Sequence, residues 1–109
     1  MRYEVLLTEG AEHDLEAIHR YLLEQDSPAS ADSVLERLMG VAEQLAAFPE
    51  RGAHPRELLA VEIREYRQVF FKPYRVIYRV VSCRVYIHPI ADVRRDLPSL
   101  LSRRLLSTP

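Results

Sequence analysis

The stretch Tyr74-Arg75-Val76-Ile77-Tyr78-Arg79-Val80-Val81 decides how this chain is read. Six of its eight residues are β-branched or aromatic, the types that fit a pleated, half-buried surface, so a strand is expected near 75–81. Its alternation puts Tyr74, Val76, Tyr78 and Val80 on one side and Arg75, Ile77, Arg79 and Val81 on the other. Lys72-Pro73 bounds it on one side and Ser82-Cys83 on the other. Working outward, similar composition predicts strands near 62–71 and 84–91, and connections this short make the three an antiparallel meander.

Upstream the period changes from two to 3.6. After a short strand candidate, Tyr3-Glu4-Val5-Leu6-Leu7, Thr8 reads as an N-cap followed by Glu9 and Glu12 in the first turn, where acidic residues are favoured. Ala11, Leu15, Ile18 and Leu22 then form one apolar stripe. Asp26 ends this helix, and Ser27-Pro28 starts another, a cap followed by proline at the first helical position. Its stripe of Ala31, Val34, Leu35, Leu38, Val41, Ala42, Leu45 and Phe48 predicts a helix from about Pro28 to Phe48, ended by Pro49, which disfavours a helical residue before it. Pro49–Pro55 reads as a loop. Past Asp92-Val93-Arg94-Arg95-Asp96, the leucines 97, 100, 101 and 105 predict a short C-terminal helix. The expected fold is α+β: an N-terminal strand, a helical hairpin, a three-stranded antiparallel meander and a short C-terminal helix, as one domain over residues 1–109.

Of the 109 residues, 48% are apolar and 28% charged, the balance of a folded globular domain. The single cysteine, Cys83, cannot make an internal disulfide, and no Cys/His cluster has metal-ligand spacing, so neither a metal nor a cofactor is expected. No apolar run approaches a membrane span and the start shows no secretory cleavage pattern, which makes the cytoplasm the expected location. The formal charge of −1 hides a split. Residues 1–50 carry 3 basic and 11 acidic side chains, a charge of −8, whereas residues 51–109 carry 12 basic and 5 acidic ones, a charge of +7. Either the second half presents a basic surface to an anionic partner, or the two halves neutralise each other within the fold.

The usual catalytic signatures are missing. The sequence holds no G-x-S-x-G, and Gly10, Gly40 and Gly52 stand alone, too sparse to cradle a phosphate. His13, His19, His54 and His88 are scattered over helix, loop and strand. What remains is arginine on a sheet: Arg64, Arg67, Arg75, Arg79 and Arg84, with Arg94-Arg95 at the exit of the last strand. On strands about 4.8 Å apart their guanidinium groups could converge to grip phosphates or carboxylates in bidentate fashion. Tyr66, Tyr74, Tyr78 and Tyr86 are interleaved with them as stacking surfaces. The alternative is a solvated face paired to acidic groups of the first half.

Several motifs in order resemble the RelE/ParE toxins of bacterial type II toxin-antitoxin systems. They are Ala11-x-x-Asp14-Leu15-x-x-Ile18-x-x-Tyr21-Leu22, Leu45-x-x-Phe48-Pro49-x-x-Gly52, Tyr66-Arg67, Tyr74 to Val80, and Arg94-Arg95-Asp96. The resemblance implies one of two activities. RelE-like members cut messenger RNA on the ribosome with basic sheet residues and commonly a C-terminal tyrosine, whereas ParE-like members poison DNA gyrase and lack that set. Arg75 and Arg95 fall at the positions of the family's functional arginines, but Tyr66 and Gln68 stand where its lysines would be. No tyrosine follows Arg95, the corresponding position falling near Leu101, and Asp92-Val93 replaces a frequent His-Gly. Cleavage without a metal needs a group to take the 2′-hydroxyl proton and another to protonate the leaving oxygen, which an arginine, always protonated, cannot do. The resemblance therefore favours a ParE-like toxin that inhibits gyrase, with an RelE-like endoribonuclease or a non-toxic antitoxin-binding remnant as alternatives. It implies a cognate antitoxin whose acidic segment lies between helices and sheet, and homodimers or toxin-antitoxin hetero-oligomers. The residues expected to bind target or antitoxin are Arg64, Arg67, Arg75, Tyr78, Arg94 and Arg95.

Overall fold

The structure is a computed structural model that describes residues 2–107, with side chains from 2 to 104. Leu105, the last leucine of the predicted C-terminal stripe, lies outside the residues whose side chains are described. The elements run β1 (Glu4–Leu7), α1 (Glu9–Gln25), α2 (Pro28–Glu43), a 3₁₀ turn (Gln44–Ala46), α3 (Arg56–Leu59), β2 (Tyr66–Phe71), β3 (Tyr74–Val81), β4 (Arg84–Asp92) and α4 (Leu97–Ser107). The α+β fold expected from the sequence is the one found.

The predicted caps form. Thr8 Oγ1 accepts from the Ala11 amide at 3.2 Å and donates to the Ile87 carbonyl at 2.8 Å, so one hydroxyl starts α1 and ties it to β4. Ser27 Oγ accepts from the Ser30 amide at 3.1 Å ahead of Pro28. Asp96 performs the same task for α4, its carboxylate taking the Ser99 amide and hydroxyl. An N-cap of this kind satisfies a backbone donor that the first helical turn leaves unpaired.

The sheet holds four strands, in the order β1-β4-β3-β2. The meander is antiparallel, Tyr66 facing Arg79 and Val81 facing Arg84. The N-terminal strand joins it parallel to β4, with Glu4 opposite Arg84 and Leu7 opposite Ile87. Between Val76–Ile90 and Tyr78–Ile87 the register slips by one residue, so His88-Pro89 makes a bulge opposite Ile77. Proline has no amide to offer a ladder, and a bulge is where a sheet tolerates it. The Ile90 amide turns to Asp14 Oδ2 on α1, 2.9 Å away.

Three expectations need correction. Helix α2 ends at Glu43 and tightens into the 3₁₀ turn, which buries Leu45 and Ala46 and brings the Ala46 carbonyl 2.7 Å from the Tyr3 amide. The tighter winding rotates Phe48 out of the stripe, leaving it 64% exposed. The first meander strand starts at Tyr66, because Pro55 is followed by the helix α3, whose residues Arg-Glu-Leu-Leu are all good helix formers. Val61-Glu62-Ile63 is the turn that leaves α3, with Glu62 at a φ of 62°.

Both faces of the sheet are covered. Ala11, Leu15, Leu38, Ala42 and Leu45 pack with Tyr74, Val76, Tyr78, Val85, Ile87 and Ile90 in the main core, under the helical hairpin. On the opposite face Leu58 of α3 and Leu97 and Leu101 of α4 close over Tyr66 and Ile77. No helix among the described residues is long and apolar enough to cross a membrane.

Candidate functional site

The sheet arginines do not converge into one patch. Arg67 stands opposite Tyr78, on the hairpin side, and its Nη1 donates to the Gly52 carbonyl at 2.8 Å and the Glu50 carbonyl at 3.3 Å. Tyr78 has no exposed surface. Its hydroxyl donates to the Pro49 carbonyl at 2.8 Å and accepts from the Gly52 amide at 2.9 Å. Burial pushes its ionisation above the usual tyrosine range, an effect that outweighs the Gly52 amide acting in the other direction, so the hydroxyl keeps the proton it donates. A β-carbon at residue 52 would overlap the Gln68 carbonyl oxygen and sit 2.8 Å from the Tyr78 oxygen. Only glycine lets this loop come close enough for the Gln68 amide to reach the Ala53 carbonyl at 2.8 Å. Tyr78, Arg67 and the Phe48-Pro49-x-x-Gly52 motif thus pin one loop against the edge strand.

Arg75 lies on the other face, beneath α3 and the start of α4, and is 5% exposed. Its Nη2 donates to Glu57 Oε2 at 3.0 Å and to the Arg95 carbonyl at 3.2 Å, and its Nη1 to Gln68 Oε1 at 3.2 Å. Its Nε is buried without a hydrogen-bond partner. Glu57 is the member of this group that sequence reasoning missed; the signal was Pro55-Arg56-Glu57-Leu58-Leu59, a proline followed by a helix-forming run. Burial raises the Glu57 carboxyl, but the Arg75 hydrogen bond, a backbone amide and the Arg75 charge together outweigh it and hold it below the usual carboxylate range. Glu57 is therefore ionised at neutral pH and a weaker proton acceptor than an ordinary glutamate.

The exit loop keeps its arginines at the surface. Arg94 folds back on Asp92, its Nε 2.9 Å from Oδ1 and its Nη2 3.1 Å from Oδ2, while its own amide donates to Oδ1. Arg94's hydrogen bonds hold Asp92 below the usual carboxylate range. Asp92 thus neutralises the first arginine of the pair. The Arg95 side chain is exposed, and so is Arg64. Arg84 pairs with Glu4 at 3.2 Å, which leaves it outside any arginine cluster. His88 stacks edge-on against Tyr66, the ring centroids 5.3 Å apart. Burial first, then the charges of Arg79 and Arg104, lower its pKa and keep the ring neutral. Among the described residues no group of three His, Cys, Asp or Glu side chains is placed to hold a metal ion.

The sequence model for the ParE toxin of the type II toxin-antitoxin system parDE matches residues 5–97. The chain belongs to the ParE toxin family. No curated protein sequence matches it significantly. Among solved structures it is similar to the chromosomal ParDE toxin-antitoxin system from P. aeruginosa, with a TM-score of 0.72, 20% identity, and coverage of 85% of this chain and 98% of that one. It is similar to the RelBE2 toxin-antitoxin complex from Mycobacterium tuberculosis, with a TM-score of 0.63, 21% identity, and coverage of 84% and 99%. A free-state double arginine-to-alanine mutant of E. coli toxin RelE gives a TM-score of 0.66 at 15% identity, covering 96% and 99%. At these identities the likeness shows the fold alone, one that the chain shares with structures of both ParDE and RelBE systems.

Proposed function

We propose that this ParE-family toxin acts by binding, with DNA gyrase as its target and a cognate antitoxin as its partner. The observation that carries this reading is what surrounds Arg75. A carboxylate, an amide and a backbone carbonyl meet its guanidinium, and none of them can protonate a leaving oxygen. The carboxylate is held ionised by the arginine itself, which blunts it as a base. A group with these neighbours lacks the proton transfers that breaking a phosphodiester needs.

In this reading Arg64 and Arg95, two of the exposed arginines of the second half, carry the charged contacts to target or antitoxin, with Arg94 available once it leaves Asp92. Charge of this kind mainly steers encounter and selects the partner. Arg67 and Tyr78 contribute by holding the Pro49–Gly52 loop rather than by touching a partner. Purified toxin added in excess to gyrase should inhibit supercoiling, and Arg95→Ala should weaken the inhibition while leaving folding stability within about 0.5 kcal/mol. Undiminished supercoiling together with cleavage of messenger RNA on translating ribosomes would replace this reading with the RelE-like one.

A further inference from the structure

The guanidinium group presents its two-pronged grip along one edge, Nε with Nη2, and a planar carboxylate laid along that edge accepts from both nitrogens. In Arg75 this edge is half used. Nη2 donates to Glu57 Oε2 at 3.0 Å and to the Arg95 carbonyl at 3.2 Å, while Nε, buried beside it, has no hydrogen-bond partner. A buried donor without an acceptor forfeits a full hydrogen bond, so the fork is held in a state that a better-placed acceptor improves. Glu57 is also poorly committed: its side chain is 38% exposed where Arg75's is 6%, and it belongs to a four-residue helix anchored by a single fully buried residue, Leu58. Its carboxylate can turn to solvent about its own side-chain bonds without lifting Leu58 from the core.

We propose that Glu57 is a displaceable internal occupant of the Arg75 fork, and that a carboxylate from an acidic segment of a protein partner replaces it by bonding Nε and Nη2 together. The proposal rests on the antitoxin-binding reading above and specifies one of its contacts. A carboxylate is favoured over a phosphate on three grounds. Exchange of one carboxylate for another leaves the charge at the buried arginine unchanged. A phosphate group would bring its larger charge against the released Glu57 and the nearby Asp96, whose charge already acts on Glu57. Of the two exit-loop arginines that could help to balance a phosphate, Arg94 is already engaged by Asp92.

The test is a titration of the full-length protein with acetate, against sodium chloride at matched ionic strength, following the Arg75 Nε–H resonance by ¹⁵N NMR. Arg75→Lys assigns the signal by its loss. Acetate should shift the Nε–H downfield in the wild type, and Glu57→Ala should increase the apparent affinity about fivefold, the gain from removing an ion-pair competitor of this exposure. Glu57→Gln, which keeps the side chain's size, should give a smaller gain and serves as the reading if the alanine variant is unfolded. An Nε–H unmoved by acetate, or an affinity identical in wild type and both variants, overturns the proposal. A shift produced by inorganic phosphate but not by acetate also overturns it, in favour of a nucleic-acid contact. The gyrase assay reads none of these resonances, so failure of the target assignment and failure of this exchange are separately visible.

Discussion

The two faces of β3 use the same backbone to opposite ends. On the hairpin side Tyr74, Val76 and Tyr78 are all buried among apolar side chains, and the Tyr78 hydroxyl has both a donor and an acceptor. On the other side Ile77 joins a smaller cluster of five buried residues, while Arg75 is buried with an unsatisfied nitrogen and Arg79 is exposed. One face is closed by packing around a Tyr78 hydroxyl bonded on both sides; the other retains an arginine that its surroundings only partly satisfy. The difference separates a face that only holds the fold from one that also keeps a buried donor unpaired.

Truncating a large buried side chain on each face is the strongest way to break this contrast. Leu38→Ala, in the main core, should cost about 3 kcal/mol of unfolding free energy, and Leu58→Ala, in the smaller cluster, about 2 kcal/mol, both read by urea denaturation. The second should also raise hydrogen exchange in α3 beyond its global effect, because Leu58 alone anchors that helix. Equal costs with uniform exchange would erase the distinction. Tyr78→Phe should come next, at about 1–2 kcal/mol, since it strands the Gly52 amide and Pro49 carbonyl; its loss should concentrate in the 49–53 loop.

The smallest effect is one of pH, and it belongs to the second face. His88 is lowered from the ordinary 6.5, so as pH falls below about 6.5 the unfolded chain takes up a proton before the folded one does, and stability declines. Glu57, lowered from 4.5, adds its stabilisation above that value and loses it as pH falls through the folded pKa. Thermal melts between pH 7.5 and 4 should show the first decline, and His88→Gln should flatten it between pH 6.5 and 5.5. A flat profile in the wild type would mean that the covered second face is wetter than its packing indicates.

Much of the architecture could be read from local signals. Thr8, Ser27 and the period of the apolar stripes placed both helices, and the alternation in Tyr74–Val81 assigned the correct residues to each face. What escaped were features made by distant contacts. Nothing near Tyr3–Leu7 says that its partner strand is β4, since parallel pairing is set by the far end of the chain. The bulge at His88-Pro89 becomes meaningful only beside Asp14, 76 residues away. In the candidate site the sequence supplied the arginines but not their company: Arg67 and Arg75 are separated by the sheet they share, and Glu57 was hidden in a helix of four residues.

The parallel pairing of β1 with β4 sets a condition on when this protein can become complete. Residue 4 pairs with residue 84 and residue 7 with residue 87, the Thr8 hydroxyl waits for the Ile87 carbonyl, and Asp14 waits for Arg104. Strand β1 therefore waits through the synthesis of about 80 further residues without its sheet partner, its loop closed only when β4 arrives. Until then the nascent chain carries an acidic helical hairpin with one apolar face open. A toxin built in this order cannot assemble its four-stranded sheet, or present any surface that depends on it, before β4 has been synthesised.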